Sequence, residues 1–181
     1  YSFSTDVISR LLEVLSGMNT RDFIQARVLN PLGMTNTGYN LSDAQQKRLM
    51  IVYNFQPDTT LIRSPKQPSA AGNTLFAGVN GLFSTAHDYL QFARMLLNGG
   101  ELNGKRILKK ETIDLMRQDF TSNITMRPDV NGKFYKLAPG IVIDADGSSN
   151  LQPGYGFGLG FGLLTDSAKA SNIGPAGEFF W

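Results

Sequence analysis

The sequence predicts an α+β fold, mainly helical with a few antiparallel strands, and three stretches carry that reading. Thr85 to Gly100 has a good cap, apolar residues at helical spacing and a glycine stop. Gly154 to Leu164 alternates glycine with large apolar residues at a period of two, as in a strand with one bare face and one apolar face. Leu102-Asn103-Gly104-Lys105 carries the Asn-Gly pair of a two-residue hairpin.

The elements follow in order. Thr5 or Ser4 starts a first helix with a broad apolar face (Val7, Ile8, Leu11, Leu12, Val14, Leu15), stopped by Gly17. Asn19 or Thr20 caps a second, which ends before Pro31 because the residue preceding proline avoids helical geometry. Pro31 to Met34 reads as a compact turn, and Ser42 caps a short helix through Arg48. Met50 to Phe55 is extended, and Gln56 to Asn73, with three prolines, reads as a long loop. Thr85 caps the central helix, with Asp88 near its positive end as a capping-box variant. Ala86, Tyr89, Leu90, Ala93, Leu96 and Leu97 form its apolar face, against which the other segments are expected to pack. A helix from about Lys110 to Arg117 follows. Thr121 to Asn150 shows little periodicity, with room for a strand or two between Lys136 and Ile143. Glu178 to Trp181 can return as an antiparallel partner of the glycine-rich strand.

The totals exclude several classes. At 181 residues and 41% apolar content the chain suits one domain, or part of a larger one, with a real core. A net charge of +2 is too small to argue for nucleic acid or an anionic membrane. There is no cysteine, which excludes disulfides, thiol catalysis and Cys-ligated zinc, and the single histidine makes no metal site by itself. No apolar run approaches the roughly 18 residues of a membrane span.

Chemistry is sparse. The chain contains no Ser-x-x-Lys and no Gly-x-Ser-x-Gly, so no activated serine can be assigned within it. His87 reads as a first-turn surface residue or a satisfied core residue, without a partner pattern. Asp144-Ala145-Asp146-Gly147 resembles the start of a calcium loop, but Tyr155 stands at the twelfth position, where a bidentate glutamate is needed. The chain opens on Tyr1-Ser2-Phe3 and closes on Glu178-Phe179-Phe180-Trp181, which reads as a piece cut from a longer protein. Any targeting signal would then lie outside it. Strand edges at the cuts could pair between molecules, so a truncation-driven dimer is a candidate association.

An ordered set of segments resembles the serine beta-lactamase-like family: class C beta-lactamases, D-alanyl-D-alanine peptidases and related carboxylesterases. The segments are Tyr1-Ser2 before a helix ending in Ser16-Gly17, Pro31 to Met34 with Thr35 and Thr37, Asn80 to Thr85 with Asp88, Leu96 to Gly104, and Gly154 to Gly162. The set looks closest to the esterase-like branch. The resemblance implies that residues 1–181 form a partial domain, the helical lobe with adjoining edge strands. It also implies an acyl-enzyme mechanism on a small-molecule ester, amide or beta-lactam, without cofactor or metal. Tyr1 matches the catalytic tyrosine of the family's Tyr-x-Asn motif, and Phe3 stands where the asparagine often is. Trp181 matches the first residue of the third motif, on the substrate-binding strand. Tyr1 and Trp181 are then expected to lie close together, the Ser-x-x-Lys to lie upstream, and this piece alone to be inactive. The family favours a periplasmic or secreted location. Alternatives are a non-catalytic module binding peptidoglycan-like peptides or a protein partner, and a carbohydrate-active domain with a carboxylate-lined cleft.

Overall fold

The computed structural model describes residues 3–57, 60–121, 141–143, 149–151, 154–170 and 174–180. The chain divides into two compact units, Tyr1–Ile107 and Leu108–Trp181.

The first unit is largely helical. Helix α1 runs Phe3–Ser16, two residues earlier than Thr5, and Gly17 closes it in the left-handed conformation with its amide on the Glu13 carbonyl. Helix α2, Thr20–Ile24, is capped by Asn19, whose side chain accepts from the Asp22 amide. The expected stop before Pro31 does not occur. The helical path continues through a π-helical turn, Gln25–Leu29, into α3, Asn30–Leu32. The amide of Asn30 donates to Gln25, five residues back, and this widened turn moves the ladder past the one position that has no N–H to give. Gly33, left-handed, then ends the path: its amide bonds to Asn30 and that of Met34 to Leu29. Leu29 and Met34, the apolar pair such a cap brings together, are both buried.

Ser42 and Gln45 form a reciprocal capping box at α4, Asp43–Gln46. Strand β1, Tyr53–Phe55, pairs antiparallel with β2, Leu61–Arg63. The second strand lies inside the segment read as a long loop: the flanking prolines obscured the short β-prone run Leu61-Ile62. Helix α5, Ala86–Leu97, begins at Thr85, whose hydroxyl accepts from the Asp88 amide, and ends at left-handed Gly99. Strands β3, Glu101–Leu102, and β4, Lys105–Arg106, flank Asn103 and Gly104, both with positive φ as a type I′ hairpin requires.

The apolar faces differ from expectation. Helix α5 buries Asp88, Met95 and Leu96, while Tyr89, Leu90 and Leu97 are exposed. Helix α1 buries no residue, and Phe3, Val7, Ile8, Leu11, Val14 and Leu15 all face outward. It is attached to α2 through polar groups: Ser9 Oγ meets Thr20 Oγ1 at 2.6 Å, and Glu13 Oε1 accepts from the Thr20 amide at 2.9 Å.

The second unit begins with α6, Lys110–Met116, which buries Ile113. Strand β5, Ile141–Ile143, pairs with β6, Ser149–Leu151. The glycine-rich run is not one strand but a hairpin, β7 Tyr155–Phe157 and β8 Gly162–Leu164. Gly160, with φ +100°, sits in its turn. Strand β9, Phe179–Phe180, adds antiparallel to β8, as expected for the returning segment. Among the described residues no helix is long and apolar enough to cross a membrane.

Asp88 binds the first unit together. Only 1% of it is exposed. Its Oδ2 accepts from the Asn36 amide at 2.7 Å and the Thr37 hydroxyl at 2.9 Å, and Thr37 Oγ1 also meets Ser84 Oγ at 2.8 Å. Beside it, Gly38 and Phe83 exchange backbone hydrogen bonds. Replacing Asp88→Ala removes the acceptor, leaving the half-buried Asn36 amide unpaired and the Thr37 hydroxyl with Ser84 alone. The expected cost is about 3 kcal/mol, read as a lower urea midpoint with an unchanged slope.

Candidate active site

Tyr1 and Trp181 both lie outside the described residues, so their expected proximity does too, as does the Asp144–Gly147 stretch. Two regions adjoin the two aromatics along the chain, one in each unit.

In the first unit the region is the first turn of α1. Asp6 Oδ1 accepts from the backbone amides of Gly78 at 2.9 Å and Val79 at 3.1 Å. Gly78 fits because it has no side chain: a Cβ there would overlap the Thr5 carbonyl oxygen and stand 2.8 Å from the Ser9 Cβ. The same loop is held from its other side by Tyr39, whose hydroxyl donates to the Ala77 carbonyl at 2.7 Å. Burial, and then the negative charge of Asp6, push the Tyr39 phenol above its ordinary pKa, so it stays a donor. Phe76 packs edge-on against Tyr39 at 5.4 Å, with the Arg21 guanidinium over its ring at 4.8 Å. Asn73 and Asn40 tie the loop's start by reciprocal bonds of 2.8 and 3.0 Å. With Phe76 packed away, Leu75 is left 83% exposed.

In the second unit the region is the sheet that leads to Trp181. Its glycines admit the chain's own groups. A Cβ on Gly156 would lie 2.5 Å from Asp119 Cγ, and one on Gly162 would lie 2.5 Å from the Phe180 ring. Arg117 donates to the Gly177 carbonyl at 2.5 Å, just before β9, and its guanidinium lies 5.5 Å from the Phe179 ring centre. Asp119 Oδ1 accepts from the Thr121 amide at 2.8 Å, the Thr121 hydroxyl at 2.7 Å and the Phe157 amide at 3.2 Å. Burial alone would raise the Asp119 pKa; these hydrogen bonds outweigh it and hold the carboxyl below its ordinary value.

Sequence reasoning did not single out Asp6, Tyr39, Arg117 or Asp119. Asp6 reads as any first-turn acid, because its partners lie more than 70 positions away. His87 is exposed on the first turn of α5, its Nδ1 3.6 Å from Asp88 Oδ1, in keeping with a surface residue.

Residues 1–169 match the sequence model of the family described as Beta-lactamase. The chain belongs to the beta-lactamase family. Among curated relatives it is 33% identical over 185 residues to Protein Rv1367c of Mycobacterium tuberculosis, an alignment taking in 100% of this chain and 42% of that protein. It is 26% identical over 170 residues to the lovastatin esterase of Penicillium rubens, across 91% of this chain and 40% of the esterase. The chain thus spans about two fifths of the length of these relatives. Among solved structures it is similar in fold to simvastatin synthase (LovD) of Aspergillus terreus. The TM-score is 0.68 at 19% identity, over 95% of this chain and 41% of that one. Helices with small antiparallel sheets are thus part of a beta-lactamase-like fold, and the serine-hydrolase resemblance drawn from the sequence holds at the level of the family.

The Asp119 carboxylate predicts an acid-sensitive second unit. Because its folded pKa is depressed, its contribution is full above the ordinary carboxylate value and is lost as pH falls through the folded value. Asp119→Asn should cost about 1 kcal/mol at pH 7, from weakened charge-assisted hydrogen bonds. That gap should shrink as pH falls below about 4. Urea unfolding at the two pH values checks it; an equal gap at both would contradict the assignment.

Proposed function

We propose that this chain is the part of a serine hydrolase that runs from the tyrosine motif at Tyr1 to the start of the third motif at Trp181, and that the intact protein turns over an ester through an acyl-enzyme. The observation that carries the reading is the family match over residues 1–169, with Tyr1 directly ahead of α1. Two further facts support it. The sequence contains no Ser-x-x-Lys, and the chain spans about two fifths of the length of its relatives. The uncovered apolar face of α1 is what a helix shows when its cover belongs to sequence elsewhere in the protein.

The chemistry follows from what a serine requires. Its hydroxyl becomes a nucleophile only when a neighbour takes its proton. In this reading Tyr1 relays that proton: it leaves the serine as the oxygen attacks the carbonyl, and it is delivered to the departing alcohol as the tetrahedral intermediate collapses. Backbone amides at the serine and on the third-motif strand hold the anion between those steps. Water then repeats the sequence on the acyl-serine and releases the acid. Phe3, at the position of the family's asparagine, brings no amide donor, which favours an ester over a classical beta-lactam. The similarity to a lovastatin esterase points the same way.

In the intact protein, Tyr1→Phe should lower kcat/KM for a p-nitrophenyl ester by about 100-fold or more while the ester still binds. Turnover that survives the change would refute the relay. An intact protein that neither hydrolyses esters nor accumulates an acyl adduct by mass spectrometry would overturn the enzyme reading. The 181-residue chain alone should hydrolyse no ester.

A further inference from the structure

The ribbon of β1 and β2 carries an apolar face that the reaction scheme above does not use. Its register sets Phe55 opposite Leu61 and Tyr53 opposite Arg63, and these four side chains share one face. Phe55 is 75% exposed, Leu61 56% and Tyr53 51%. Met50, 83% exposed, and Ile51 lead into the same ribbon. Among the described residues the ribbon has no third strand, and two strands alone are marginal in water. It is nevertheless firmly rooted. Gln67 Oε1 accepts from the Val52 amide at 3.0 Å, and its Nε2 donates to the Val52 carbonyl at 3.0 Å and the Ser64 carbonyl at 2.6 Å. The Ser64 amide donates to the Val52 carbonyl at 2.9 Å, and at the far end the Gln56 amide donates to the Thr60 carbonyl at 2.9 Å.

Positive charge gathers at the same place. Residues 47–66 hold four basic residues against one acidic residue, Asp58, a net of +3 where the whole chain carries +2. Lys47, Arg48, Arg63 and Lys66 are exposed, and among the described residues none of them forms an ion pair. Arg63 shares a hollow with Leu49, Met50 and Ile51, so cation and apolar side chains adjoin at the root of the ribbon. This mixture sets the ribbon apart from the uncharged apolar side of α1. Cations covered by other protein need acids to pair with, and the ribbon offers an excess of unmatched cations. We propose that the ribbon rests the protein on an anionic phospholipid surface. Phe55 and Leu61 enter the boundary between headgroups and acyl chains, Tyr53 stays at headgroup level, and Arg63 and Lys66 meet lipid phosphates. Residues 56–60 hold no large apolar side chain and include Asp58, so the ribbon lies along the surface instead of entering tip first. A face one ribbon wide falls short of the about 800 Å² a side of a stable protein interface, whereas a bilayer contact needs only a few apolar side chains with diffuse charge. The contact is independent of the hydrolase reading.

The test sediments the intact protein with vesicles of phosphatidylcholine alone and of phosphatidylcholine with phosphatidylglycerol. Wild-type protein should bind the mixed vesicles at least about tenfold more tightly than the neutral ones, and added salt should narrow the difference. Phe55→Ser combined with Leu61→Ser should lose most of the binding, and Arg63→Gln combined with Lys66→Gln should lose the preference for anionic lipid. All four side chains are exposed, so both variants should keep the wild-type urea midpoint. Leu97→Ser, which removes a still more exposed leucine from α5, should bind as wild type does. Phe55→Trp should show indole emission that moves to the blue on anionic vesicles, which locates the contact. Binding that survives the double serine change, or no binding to anionic vesicles, overturns the proposal. So does a dimer in solution that the double serine change dissolves, because a second copy then covers the face. Ester turnover enters none of these readouts, so failure of the lipid contact and failure of the hydrolase reading are told apart.

Discussion

A buried carboxylate organises the first unit. Asp88 lies almost wholly out of water, and an ion there is tolerable only if its oxygens are occupied. The Asn36 amide and the Thr37 hydroxyl occupy one oxygen, and the amino-terminal end of α5 adds a favourable dipole. The consequence is topological. Segment 36–38 is drawn against segment 83–85, where Gly38 and Phe83 exchange hydrogen bonds, and the chain between them must leave and return at fixed points. The β1–β2 hairpin and the loop held by Asp6 both belong to that closed excursion. Asp88 was visible in the sequence as a helix-cap residue. That it is also the tie between distant segments was not, because a cap needs only its own helix.

The same limit explains what was and was not legible elsewhere. Helix α5, with Thr85 at its head and Gly99 at its foot, the Asn-Gly hairpin and the Ser42 cap follow from local rules and stand where those rules put them. So does the pairing of the final strand with the glycine-rich region. The directions of the helices did not follow. Apolar spacing on α1 and α5 says which side chains share a face but not what meets it. In α1 the polar side faces the unit through Ser9 and Glu13. Glycine at alternate positions signalled close approach correctly. It did not say that the approaching groups would be Asp119 and the Phe180 ring, nor that Gly160 would fold the run into a hairpin.

The candidate site was legible as a family pattern, and less so as geometry. The order of weak motifs from Tyr1 onward pointed to the beta-lactamase family, and the match over residues 1–169 bears that out. The groups that brace the two described regions escaped notice for a shared reason. Asp6, Tyr39 and Arg117 each act on the backbone of a remote segment, and a backbone partner leaves no mark on residue identity. Only the glycine at position 78 hints at it, and a lone glycine in a loop has many commoner explanations.

The π-helical turn ahead of Pro31 has a consequence for how this stretch can change. One additional residue per turn is all that separates Gln25–Leu29 from an ordinary α-helix. Losing a single position there would close the turn to the ordinary i→i+4 pattern and set the Pro31 ring against the carbonyl one turn back, a clash the wider turn avoids. Chain length between Thr20 and Gly33 is therefore constrained more tightly than the identity of any residue along it. Substitutions there should be far better tolerated than deletions.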